Sequence, residues 1–110
     1  MEDIHLIPAS INFVATGDNT VIAAVTSRYF EIYALFLIVS AATNIQFKDG
    51  ASTNLTGVMN LAANNQVKLD PFGLAWFTGS INTAFIINQS GTAQISGRIY
   101  YIAKQPVITP

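Results

Sequence analysis

The chain has 110 residues and a mass of 11.8 kDa, enough for one domain and too few for two. Hydrophobic residues make up 51% of it and charged residues only 10%, against about 25% in ordinary soluble domains, and the net charge is −1. The five cations (Arg28, Lys48, Lys68, Arg98, Lys104) form no basic stripe, which argues against nucleic-acid binding, and the lack of Cys excludes disulfides and thiolate chemistry.

The elements follow in chain order. Residues 1–10 read as an N-terminal arm that holds Ile4, Leu6 and Ile7 and stops at Pro8. Its start, Met1-Glu2-Asp3-Ile4-His5, is acidic and lacks the basic region of a secretory signal, so it does not read as one. Residues 11–15 form the first strand, closed by a turn at Thr16-Gly17-Asp18-Asn19-Thr20. Residues 21–25 form the second. Residues 29–39 form the longest, and residues 45–48 a short one that runs into Asp49-Gly50, a hairpin signal. Residues 55–61 are a weaker strand candidate, with a short helix over 55–63 as the competitor. Residues 67–69, 74–77, 83–88 and 93–103 complete the set, with a Pro-set turn at Asp70-Pro71-Phe72-Gly73. Eight or nine short strands at this spacing predict a single all-β domain over residues 11–103, an antiparallel sandwich or barrel. Residues 104–110 form a C-terminal arm with Val107 and Ile108 between two prolines. Either arm lies on this subunit or a partner, or it frays.

Two strands differ in character. In 93–103, Ala93, Ile95, Gly97, Ile99 and Tyr101 share one face, and Gln94, Ser96 and Arg98 begin the other, as in a half-buried antiparallel strand. In 29–39, one face carries Tyr29, Glu31, Tyr33, Leu35, Leu37 and Val39, and the other carries Phe30, Ile32, Ala34, Phe36 and Ile38. From Ala34 onward both faces are apolar. Either a segment of the same chain covers the second face or a neighbouring subunit does. The low total charge favours the subunit, with Tyr33, Leu35, Leu37 and Val39 as the expected interface. The longest apolar run, residues 32–39, is far short of the ~20 residues of a spanning helix.

Little here suits catalysis. His5 is the single His, so no multi-His metal set can form within one chain, and no Gly-x-Ser-x-Gly elbow or phosphate loop is present. Asp18, Asp49 and Asp70 sit beside Gly, Asn or Pro as turn formers. Glu31 is placed for an ion pair with Arg28 or Arg98. Trp76, Phe77 and Phe72 form an aromatic cluster suited to packing, with sugar stacking as the functional alternative. No enzyme activity, cofactor or metal is expected.

The run from Ala15-Thr16-Gly17-Asp18-Asn19-Thr20-Val21-Ile22-Ala23-Ala24, through Phe47-Lys48-Asp49-Gly50 and Leu55-Thr56-Gly57-Val58-Met59-Asn60-Leu61-Ala62-Ala63-Asn64, to Gln94-Ile95-Ser96-Gly97-Arg98-Ile99-Tyr100-Tyr101 resembles a group of small structural proteins of tailed bacteriophages. The resemblance covers residues 15–102 and rests on turn and strand signatures. It implies a jelly-roll-like sandwich in the virion, made in the bacterial host cytoplasm. As a capsid decoration or cement protein it would form a homo-oligomer, a trimer foremost, on the major capsid protein or another virion protein. No nucleic-acid or membrane partner is implied. The alternative is a glycan- or receptor-binding module of a head fibre or tail.

Overall fold

Short β-branched and aromatic runs interrupted by Gly, Asn, Asp and Pro fold into strands and turns, and the computed structural model, which describes residues 5–106, contains no helix among them. Among the described residues there are ten strands: β1 Ile7–Phe13, β2 Gly17–Ile22, β3 Tyr29–Val39, β4 Thr43–Asp49, β5 Thr53–Asn54, β6 Met59–Leu61, β7 Gln66–Leu69, β8 Phe77–Thr78, β9 Phe85–Gln89 and β10 Ile95–Lys104.

All pairings are antiparallel. The first sheet runs β1-β10-β3, with β7 and β8 sharing the outer edge of β3. The second runs β2-β9-β4, with β5 and β6 sharing the outer edge of β4. The paired short strands account for the count of ten. β7 pairs with residues 35–38 and β8 with residues 31–32 of the same strand, so together they act as one interrupted strand. β5 and β6 do the same along β4. Read as eight strands, the first pairs with the last and the second with the second-last, and two four-stranded sheets face each other. This is an all-β sandwich with the strand order of a jelly roll.

The hairpin expected at Asp49-Gly50 forms between β4 and β5. Gly50 sits at φ +73°, and a Cβ there would lie 2.7 Å from Thr83 Cγ2, so both conformation and space require glycine. Other boundaries differ from expectation. β1 starts at Ile7, so residues 7–10 belong to the sandwich edge and pair with Arg98, Ile99, Tyr100 and Tyr101. Pro8 is tolerated there because β1 is an edge strand. Residues 17–20 belong to β2 and pair with residues 86–89 of β9, with Asp18 bonded to the Lys48 ammonium and the Asn88 amide. Residues 23–28 are then a loop.

Strand β3 has the expected bounds, but its alternation breaks. Tyr100 pairs with Ala34 and Tyr101 with Ile32, which leaves Tyr33 as an extra residue, a β-bulge. Phe30 and Ile32 point into the core before it, and Leu35, Leu37 and Val39 after it. One inserted residue thus reverses which face of the strand is inside.

The core fills the space between the sheets. Phe47 packs edge-on to Phe77 at 5.7 Å and tilted to Phe85 at 5.8 Å, surrounded by Ile11, Ile45, Ile87, Ile95 and Ile99. β10 keeps its alternation, with Ile95 and Ile99 inside and Arg98 outside.

Candidate functional site

The bulge decides which residues are open to a partner. Leu35, Leu37 and Val39, expected at a subunit interface, are buried in the core of their own chain. This corrects the assignment: an unbroken period of two put the wrong half of β3 outward. Tyr33 is half-buried. Its hydroxyl donates to Glu31 Oε1 at 3.0 Å, and Lys104 Nζ lies 3.0 Å from the same oxygen. Glu31 therefore pairs with Lys104, and not with Arg28 or Arg98. Burial, then the Glu31 carboxylate, pushes the Tyr33 hydroxyl above its ordinary value, and the hydrogen bond to Glu31 does the same for Lys104. Of the expected arm residues, Leu6 is half-buried and Ile7 is exposed on β1. Ile4, Val107 and Ile108 lie outside the described residues.

The opposite face of residues 35–39 points outward. Phe36 is 50% and Ile38 39% exposed, on a strand flanked on both sides by neighbours. Phe36 is paired with Arg98 of β10 and Lys68 of β7. A cleft of about 160 Å³ opens beside it, lined by Ala34, Phe36, Tyr100, Lys68, Asp70 and Pro71 among others. The double apolar face had been visible in the sequence. Its phase had not, because Tyr33 and Ala34 fit either side.

Asp70 and Pro71 start the loop that separates β7 from β8. The loop exposes Phe72 (56%), Leu74 (66%) and Trp76 (41%). It is held in shape by one bond to β3 and one within the loop. Trp76 N donates to Ile32 O at 2.7 Å, and Trp76 Nε1 donates to Asp70 O at 2.8 Å. Gly73 turns it at φ +91°, and the Phe72 ring stands edge-on to Trp76 with centroids 5.0 Å apart. The sequence cluster is split: Phe77 enters the core, while Phe72 and Trp76 remain outside.

One end of the sandwich gathers four loops, residues 14–16, 40–42, 62–65 and 90–94. None of their residues is ionisable. A broad groove of about 450 Å³ opens there, lined by Ala42, Thr43, Asn44, Asn60, Leu61, Ala62 and Ser90. Beneath it, buried Gln89 donates through Nε2 to Ala93 O and Ala15 O and accepts at Oε1 from Thr43 and Ala93 N. It ties the last loop to the core.

The three aspartates expected in turns each have a partner within the chain. Asp18 accepts from Asn88 at 2.7 Å and pairs with Lys48 at 3.3 Å, and the Asn88 bond holds its carboxyl below the usual carboxylate range. Asp49 is buried and accepts from Ser80 N and Oγ. Asp70 lies 3.7 Å from Lys68. Among the described residues, no group of three or more His, Cys, Asp or Glu could hold a metal ion, and no helix is long and apolar enough to cross a membrane.

No protein-family model, curated protein or solved structure matches this chain.

Proposed function

We propose that this chain is a non-enzymatic structural protein of a tailed-phage virion, one that decorates the capsid by self-associating and binding the major capsid protein. The observation that carries the reading is the loop end without an ionisable side chain, built from residues 14–16, 40–42, 62–65 and 90–94. The buried centre of a protein interface is depleted in charge, because each charge taken from water must be compensated. Small neutral side chains over a broad groove suit such a contact. The likeness of residues 15–102 to small virion proteins, and a strand order shared with viral capsid domains, point the same way. The fold also occurs in lectins, so it does not decide between them.

A cement protein acts by burying area across joints between capsid subunits, which adds binding free energy to the assembled state alone. The test mixes purified protein with undecorated capsids and follows co-sedimentation and the capsid heat transition. Bound protein and a raised transition are expected. Capsids that neither bind the protein nor gain heat resistance would remove this reading.

A second reading rests on Phe72 and Trp76. An exposed, pre-shaped aromatic pair can stack on the apolar face of a sugar ring, as in a glycan- or receptor-binding module of a head fibre or tail. Glycan-array binding that Trp76→Ala abolishes, with the circular dichroism spectrum unchanged, would favour it over capsid decoration.

A further inference from the structure

We infer that two copies of this chain pair face to face through the outer surface of the first sheet. The Phe72–Trp76 pair of each copy would seat in the other's cleft beside Phe36. The inference rests on the self-association in the proposed function and gives it a surface.

Three observations carry it. The first is area. Phe36, Ile38, Phe72, Leu74 and Trp76 are between 39% and 66% exposed. Together they leave on the order of 500 Å² open, over half of the ~800 Å² that one partner gives to a standard interface. Phe36, Phe72 and Trp76 are linked in space. The cleft joins Phe36 and Tyr100 to Asp70 and Pro71, the Asp70 carbonyl holds the Trp76 indole, and Trp76 touches Phe72.

The second is shape. A two-fold interface uses the same patch on both copies, so the patch must complement itself. This one carries an exposed aromatic pair, Phe72 and Trp76, and beside it a recess of about 160 Å³, room for an aromatic ring. Because backbone and indole bonds fix the loop, little conformational freedom is lost on docking.

The third is charge. Lys68 and Asp70 flank the cleft 3.7 Å apart, both largely exposed. Across a two-fold axis, Lys68 of one copy can meet Asp70 of the other. Arg98, on the opposite side of Phe36, stays at the solvated rim.

Light scattering during size exclusion reads the mass of the wild type, of Phe36→Ser and of Trp76→Ala, with circular dichroism as the fold control. A wild-type dimer that both variants turn into monomers, at an unchanged spectrum, is expected. A second measurement does not rely on loss. The chain has no cysteine, so Lys68→Cys and Asp70→Cys proteins, which keep Phe36, Phe72 and Trp76, should when mixed and oxidised give more cross-linked dimer than either gives alone. A dimer that survives both substitutions overturns this surface and leaves self-association standing. A trimer overturns the two-fold pairing. A monomeric wild type overturns the inference, while heat protection of capsids would still decide capsid binding separately. A monomer that binds glycans through Trp76 would assign the patch to a sugar.

Discussion

Thr43 Oγ1 donates to Gln89 Oε1 at 3.0 Å inside the core, and the same Thr43 oxygen accepts from Gly91 N at 3.2 Å. Gln89 is 1% exposed, and both ends of its amide are bonded. Gln89→Leu would leave Ala93 N, the Ala93 and Ala15 carbonyls and the Thr43 hydroxyl short of partners. We expect a loss on the order of 3 kcal/mol in urea unfolding, and about 1 kcal/mol for Thr43→Val, which removes only the hydroxyl. A Gln89→Leu protein as stable as wild type would mean that water replaces these bonds.

Gly97 is required by space. A Cβ on it would collide with the Phe36 carbonyl oxygen and sit 2.7 Å from Leu37 Cα. The obstacle is backbone in a central strand, so it cannot rotate away. Gly97→Ala should cost roughly 1–3 kcal/mol or more, as overpacking does, whereas Gly57→Ala, with open space around its Cβ position, should cost much less. The paired thermal melts check this.

Those two glycines show where sequence reading reaches its limit. Gly97 falls on the apolar face of an alternating strand, and nothing in its neighbours tells that a partner backbone comes so near. The all-β sandwich was legible, because runs such as Ile95–Lys104 alternate and turn residues separate them. The Asp49-Gly50 hairpin was legible for the same local reason. The pairing of β7 and β8 along one edge of β3 depends on contacts far apart in sequence, and so does the bulge at Tyr33. The candidate surfaces follow from that bulge, which is why Phe36 and Ile38 could be seen as apolar and yet be assigned inward.

Stability should fall at both ends of the pH scale. Asp18 has a folded-state pKa below its ordinary value, from the Asn88 bond and then the Lys48 contact against opposing desolvation. Its contribution is present in full above the unfolded-state value of about 3.9 and is lost as pH falls through the folded-state value. Tyr33 and Lys104 are raised in the fold. Their contribution is present in full below the unfolded-state values near 10 and is lost as pH rises through the folded ones. In urea unfolding, the gap between wild type and Asp18→Ala should narrow from pH 5 to pH 2.5. The gap for Glu31→Gln should narrow above about pH 10. Gaps that stay constant would show that neither cluster couples to folding.

The bulge at Tyr33 makes adjacent residues differ sharply. Leu37 is buried in the core with no exposed surface, while Phe36, one residue earlier, is half exposed. Leu37→Ala removes buried methyl groups and leaves a cavity, at a cost of about 2–5 kcal/mol. Phe36→Ala removes the larger side chain, yet for the isolated chain it should change stability by only about 0.5 kcal/mol. The measurement must be made at low protein concentration, because loss of an association contact would otherwise lower the apparent stability of the Phe36 variant. An unbulged strand reverses the order: Phe36→Ala would then be the damaging substitution and Leu37→Ala the mild one. Deleting Tyr33 should be tolerated better than Leu37→Ala in the same unfolding measurement, since removing the extra residue leaves an unbroken alternation that keeps Phe30, Ile32, Leu35, Leu37 and Val39 inward and gives up chiefly the Tyr33–Glu31 bond.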